Sequence, residues 1–187
     1  ALKSKEIKTI FGYEAFLTTK SRFEQSSSIS SGERAYYPIV LLASDITGYH
    51  NLAEIASKAF TEGFYHRPRV DIELLTEFSS GIVCLSGGIT GITGHFLSTG
   101  NVARAEEYAA QFSDIFGKDR FYLELQDFGP NSKHNVETIK LSKSMGLPLV
   151  ATNDVYYLDA EDARAREALI ALESGRTIGP TPAELPL

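Results

Sequence analysis

The sequence has one cysteine, no tryptophan and only four histidines, and each shortage closes a line of explanation. Cys84 alone cannot make an internal disulfide. It sits in the apolar run GIVCL, where a reduced thiol behaves as a small buried hydrophobe, which fits a reducing, cytoplasmic setting. The histidines are scattered: His50 and His134 fall within predicted helices, His66 lies in a basic loop, and His95 follows a glycine turn. There is no H-x-H, no H-x-x-x-H and no Cys/His cluster, so each reads as a surface or packing histidine rather than a metal ligand. Positive charge is short as well, with 18 Lys and Arg against 24 Asp and Glu and a net charge of −6. A segment that grips a phosphate backbone needs clustered Lys and Arg, so any nucleic acid would be held by other segments. No apolar run approaches the roughly 20 residues needed to cross a bilayer. Residues Ala1 to Thr9 carry charges and no apolar h-region, which argues against a secretory start. Nucleophilic catalysis finds no G-x-S-x-G elbow, and Ser86 has no histidine identifiable as its base.

What is present is a repeated layout of an apolar strand, a polar tip and a helix. The stretch LPLVATNDVYYL shows it best, with the apolar run ending in Thr152, Asn153 and Asp154. The same layout recurs about five times, and strands alternating with helices imply parallel pairing through crossover units. Strands are expected at about Lys8 to Leu17, Tyr37 to Ala43, GIVCLSG, FYLELQ and LPLVA. Helices are expected after Asp45, after Asp71, from Asn101 to Gly117, from Asn131 to Met145, and from Asp159 to before Gly175. Between the first two strands runs TTKSRFEQSSSISSGERA, a Ser-rich stretch without apolar period, which reads as a mobile loop. GFYHRPR also reads as a loop. The fold class is therefore α/β, an incomplete barrel of about five parallel strands with flanking helices. Residues 1–175 form one domain and 176–187 a linker toward a missing downstream region. Both ends read as cut rather than finished, with the missing strands expected upstream of Ala1.

In such a barrel the chemistry gathers where the strands end. The polar residues there are Glu14, Asp45, Ser86, Glu124, Asp127, Asn153 and Asp154. Carboxylates converging from different strands could hold Mg²⁺, Mn²⁺ or Zn²⁺ and activate water against a phosphate ester. Glu14 stands out because it interrupts an apolar and aromatic strand, where an unpaired carboxylate is costly to bury; pairing with a lysine or with backbone N–H groups is the bland reading. The turn GGITGITG matches neither the Walker A nor the dinucleotide spacing, and a tight turn with close packing explains it as well as a phosphate cradle does. Residues His66-Arg67-Pro68-Arg69 carry charge suited to phosphate, but a solvated loop is the preferred reading.

FGYEAFL (11–17), YYPIVLLASDITGYHNL (36–52), EGFYHRPRVDIELL (62–75), GIVCLSGG (81–88), FYLELQDFG (121–129) and LPLVATNDVYYL (147–158) occur in the order seen in one family. Together they resemble the PHP (polymerase and histidinol phosphatase) domain of the bacterial DNA polymerase III alpha subunit, over nearly the whole chain. The resemblance implies a distorted (β/α)7 barrel, with the two missing strands and their H-x-H and D-H motifs lying upstream. It implies Glu14 as the strand carboxylate ligand and Asp154 as the terminal aspartate ligand of a metal. At other ligand positions, where metal-competent relatives carry histidine, this sequence has Pro38, Phe128 and Tyr156, and Gly88 stands where they carry cysteine. Rings of carbon cannot replace nitrogen and sulfur donors, so the implied site is degenerate, holding no metal or a vestigial divalent one.

The favoured reading is a fragment of a replicative DNA polymerase, a nucleotidyltransferase acting in DNA replication, whose Mg²⁺ ions are held in a palm domain outside this chain. Within it this segment would be a non-catalytic scaffold that contacts other replicase subunits, the proofreading exonuclease among them, while DNA is held by other domains and no membrane is involved. A second reading is a metal-dependent phosphoesterase (exonuclease, pyrophosphatase or phosphatase) using Glu14 and Asp154 with upstream histidines. A third is a binding-only α/β module.

Overall fold

The computed structural model describes residues 8–25, 32–126, 132–153 and 155–177. β1 (Gly12–Leu17) and β2 (Tyr37–Ala43) come first, and α1 (Ile46–Thr61) follows. A short hairpin of β3 (Phe64–Tyr65) and β4 (Arg67–Val70) leads to α2 (Ile72–Glu77) and β5 (Ile82–Leu85). A 3-10 turn at Gly88–Thr90 opens onto α3 (Ile92–Ser98), α4 (Val102–Phe116) and β6 (Phe121–Leu125). The last elements are α5 (Ser132–Met145), β7 (Leu149–Ala151) and α6 (Ala163–Ser174). Among the described residues no helix is long and apolar enough to cross a membrane.

Among the described residues the strands form one sheet of seven in the order β3-β4-β1-β2-β5-β6-β7. The α/β class and the incomplete barrel stand, but the strand count and the all-parallel pairing need correction. β2 runs antiparallel to both of its neighbours, β1 and β5, while β1–β4, β5–β6 and β6–β7 are parallel. The reason lies in the connection. A parallel return needs a crossover, usually a helix, and between Leu17 and Tyr37 the described residues hold none, so β2 comes back alongside β1 in the opposite sense. The two additional strands are the short hairpin over 64–70, which the sequence presents as a loop because Pro68 and the charged Arg67 and Arg69 mask strand character. The sheet order begins at β3 and ends at β7, so the barrel is open.

One face of the sheet carries the core. Ala15, Ile39, Leu41, Cys84 and Phe121 are at most 2% exposed and meet Ile55 and Ala59 of α1, Leu74 and Leu75 of α2, and Phe112 and Phe116 of α4 in one cluster. Helix caps follow the sequence. Asp45 Oδ1 accepts from Gly48 N at 2.8 Å, Asp71 Oδ1 from Leu74 N at 3.0 Å, and Asn101 Oδ1 from Arg104 N at 3.3 Å. Each satisfies an amide that the first helical turn leaves without a partner. α1 lies so close to the turn before β5 that a Cβ on Gly48 would sit 1.8 Å from the Gly81 carbonyl oxygen. Only glycine allows that approach.

Candidate functional site at the strand ends

The register places Glu14 opposite Val40, Val40 opposite Leu85, and Leu85 opposite Tyr122. Residues directly opposite share a face, so these four form a row across β1, β2, β5 and β6 on the side away from the core. Glu14 is exposed there, and its carboxylate makes no ion pair among the described residues. The desolvation cost expected of a strand carboxylate is thus not incurred, because the strand turns Glu14 outward while Ala15 goes into the core. Two residues along the same face lie Phe16 and, opposite it, Pro38. Pro38 does occupy the Glu14 face, and it brings no donor atom. Asp154, the other ligand that the resemblance implies, lies outside the described residues, as do Asp127 and Phe128. Tyr156 is 57% exposed and lies under the Arg166 guanidinium, 3.9 Å from the ring centroid. Among the described residues no three His, Cys, Asp or Glu side chains converge as a metal site.

The acid that the fold does bring to the centre of the strand ends is Glu124, which is 4% exposed. Its Oε2 accepts from the backbone N–H of Gly87 and, at 3.1 Å, from that of Gly88. Its Oε1 accepts from the Thr152 hydroxyl at 2.9 Å, and its own N–H donates to Ser86 Oγ at 3.0 Å. Gly87 and Gly88 have φ of 79° and 57°, and successive amides in this left-handed geometry form a concave anion nest. The glycine turn is therefore a cradle for negative charge, and the charge it holds is the chain's own carboxylate. Gly87 also packs against β2, since a Cβ there would lie 2.2 Å from the Pro38 carbonyl oxygen. Sequence reasoning placed Glu124 among the strand-end acids and weighed the glycine turn separately; a lone acid in FYLELQ beside a Gly-Gly pair was the available signal. Below this network Cys84 is fully buried, and burial together with the nearby Glu124 charge pushes its thiol well up. It is an inert packing group, as the sequence indicates.

The remaining strand-end residues serve the fold. Asp45 caps α1, and Asn153 is exposed. Of the two arginines expected in a solvated loop, Arg69 is drawn inward while Arg67 stays partly exposed. Arg69, 5% exposed, donates to the carbonyls of Gly63, Arg22 and Glu24 at 2.9 Å to 3.1 Å. Arg67 donates to the Tyr36 hydroxyl at 3.0 Å and to Glu173 at 3.0 Å. Arg22, unremarked in the sequence, is 5% exposed. It pairs with Asp71 at 2.9 Å and with Glu62 at 2.8 Å, and its hydrogen bond holds the Glu62 carboxyl below the usual range. Arg22 and Arg69 thus spend their charge inside the fold, on Asp71, Glu62 and backbone carbonyls, which is a structural role. His50 and His66 are exposed, while His95 packs with Nε2 2.8 Å from the Gly32 carbonyl oxygen.

Known proteins resemble this chain over most of its length. It is 39% identical over 168 residues to the DNA polymerase III subunit alpha of Treponema pallidum (strain Nichols), covering 89% of this chain and 14% of that protein. It is 40% identical over 174 residues to the protein of the same name from Thermus aquaticus, covering 92% and 14%. For the Aquifex aeolicus (strain VF5) protein of that name the figures are 37% over 183 residues, 95% and 16%. The chain thus spans only about one seventh of the length of these relatives. The model of the PHP domain family matches residues 1–128, which take in the row from Glu14 to Tyr122, the glycine turn and the Glu124 carboxylate that fills it. With that match running through β6, the chain belongs to the PHP domain family.

Proposed function

We propose that this chain is the PHP region of a cytoplasmic replicative DNA polymerase and serves it as a non-catalytic scaffold. The parent enzyme would add nucleotides to a primer 3′ end with two Mg²⁺ ions held by carboxylates of a palm domain outside this chain. The relatives' shared name supports the parent's activity. The observation that carries the scaffold role is the chemistry of the Glu14 face: its neighbours in the row are Val40, Leu85 and Tyr122, with Pro38 beyond. Glu14 has carbon surfaces beside it, and the Glu124 carboxylate farther along the same face is engaged by the Gly87 and Gly88 amides and the Thr152 hydroxyl; that does not make a cation cage, since hard divalent ions take several oxygen ligands. Asp154 would add one more carboxylate at most, and any metal held there would be vestigial. Contacts with other replicase subunits, a proofreading exonuclease among them, would use the outer surface of this domain, and DNA would be held elsewhere in the parent, in keeping with the net charge of −6.

The test uses the complete parent polymerase and its Glu14→Ala variant. Elemental analysis should find no Zn or Mn that depends on Glu14, and primer extension should be unchanged. Stoichiometric Zn or Mn that disappears in the variant, together with phosphoesterase activity lost in step, would overturn the scaffold reading and favour a metal-dependent phosphoesterase.

A further inference from the structure

The hairpin of β3 and β4 turns on His66, whose φ of 62° is a left-handed backbone that residues with a side chain adopt at a cost. Such strain persists where the surrounding structure fixes the residue, and it collects at clamps and switches. What this turn holds in place is Arg67, the first residue of β4. Its guanidinium lies over two rings, 5.0 Å from the Phe16 centroid and 5.7 Å from that of Tyr36. The same group donates from Nε to the Tyr36 hydroxyl at 3.0 Å and from Nη2 to Glu173 Oε1 at 3.0 Å. Phe16 shares the Glu14 face, two residues along β1, and Glu173 belongs to the last turn of α6. One side chain thus joins that face to a helix residue 106 positions away in sequence.

We propose that α6 is a releasable strap, latched at its C-terminal end by Arg67 and able to swing off the Phe16 edge of the Glu14 face. The core holds little of it, since Ala171 is the one buried residue of the helix. Toward its other end Asp159 and Asp162 form the capping box, Arg164 pairs with Glu167, and Arg166 lies over Tyr156. These contacts stay within residues 156–167 and travel with the strap, so release leaves the helix its own support. The latch is ionic and shallow. Its two side chains are 41% and 70% exposed, and a pair so exposed is weak and screened by salt. Ionic strength therefore sets the open fraction. Opening lifts Glu173 away and leaves the planar guanidinium, still seated on its rings, with a bare edge beside the Glu14 face. This assignment goes beyond the scaffold reading and does not depend on it.

The test is hydrogen–deuterium exchange, read by mass spectrometry on the full-length protein that contains this chain, with peptides from α6 compared with peptides from α1. Glu173→Gln removes the charge from the latch and leaves the hairpin and its rings untouched. At low salt it should speed exchange of the α6 amides about threefold, while the α1 amides keep their rate. Arg67→Gln should do at least as much, and the double variant should exchange no faster than Arg67→Gln alone, because both changes break one contact. Raising the salt to about 1 M should bring α6 of the unaltered protein up to the rate of Glu173→Gln. Unchanged α6 exchange in Glu173→Gln, a double variant in which the two effects multiply, no response to salt, or equal acceleration of α1 would each overturn the proposal.

Discussion

Glu124 carries a formal charge at a position with 4% exposure, and what makes that tolerable is the number of donors aimed at it. Two backbone amides and a hydroxyl come from two separate stretches of chain, so the carboxylate, itself on a third, ties the ends of β5, β6 and β7 together. Replacing it by alanine leaves the amides of Gly87 and Gly88 facing a void, at about 3 kcal/mol. Glu124→Gln keeps one acceptor oxygen and should lose about half as much. Urea unfolding midpoints of the two variants check this ordering, and equal midpoints for Glu124→Ala and the parent chain would show that the nest is indifferent to its occupant. Glu124 was visible in the sequence as a strand-end acid. Its role was not, because the amides that hold it have no side-chain signature.

His134 predicts a pH effect of definite sign. Burial lowers its pKa from the ordinary 6.5, so the folded chain binds this proton less readily than the unfolded one. Its contribution is whole above about pH 6.5 and is lost as the pH falls through the lowered folded value. Unfolding midpoints should therefore fall between about pH 7 and about pH 5, and fall less in His134→Leu. The same drop in both proteins would assign the effect to other groups.

Elements were legible to the degree that local periodicity decides them. Leu52, Ile55 and Ala59 keep helical spacing in α1, and all three are buried. Asn101 and Gly117 bound α4 as expected, although the apolar Val102 in its first turn is 44% exposed. Phe60 is likewise exposed and stacks on Phe64, with ring centroids 6.3 Å apart. Strand direction, in contrast, is a property of the connection and of which neighbour receives each strand, and β2 shows no local mark of running backwards. The buried arginines were missed for a related reason. Arg22 and Asp71 are 49 residues apart, and nothing near either one announces the other. α6 shows the opposite balance, clear in sequence and thinly attached in space. Asp159 and Asp162 form a capping box ahead of it and Gly175 ends it, yet only Ala171 is buried and Leu172 is 80% exposed. Helices held mainly by local bonds open most readily. Trypsin at low dose should therefore cut first at Arg164 or Arg166, leaving a resistant body that ends near β7; first cleavage at Lys58, inside α1, would contradict this. Mass spectrometry of the early fragments decides.

At the scale of the whole molecule, the core is complete on one face while the sheet is open at β3 and β7. Exposed Leu149 at one edge, and Val155, Tyr156 and Leu158 just after it, show how much apolar surface the open side carries. The order of strands in the sheet also has a consequence for a chain emerging from the ribosome. β1 pairs with β2 on one side and with β4 on the other, and between β2 and β4 the chain must first lay down α1. The first strand made can be sheltered along one edge early, but its second edge stays bare until Val70 has cleared the exit tunnel. Synthesis halted before that point would expose Phe16 and Leu17 to whatever nascent chain or chaperone arrives first.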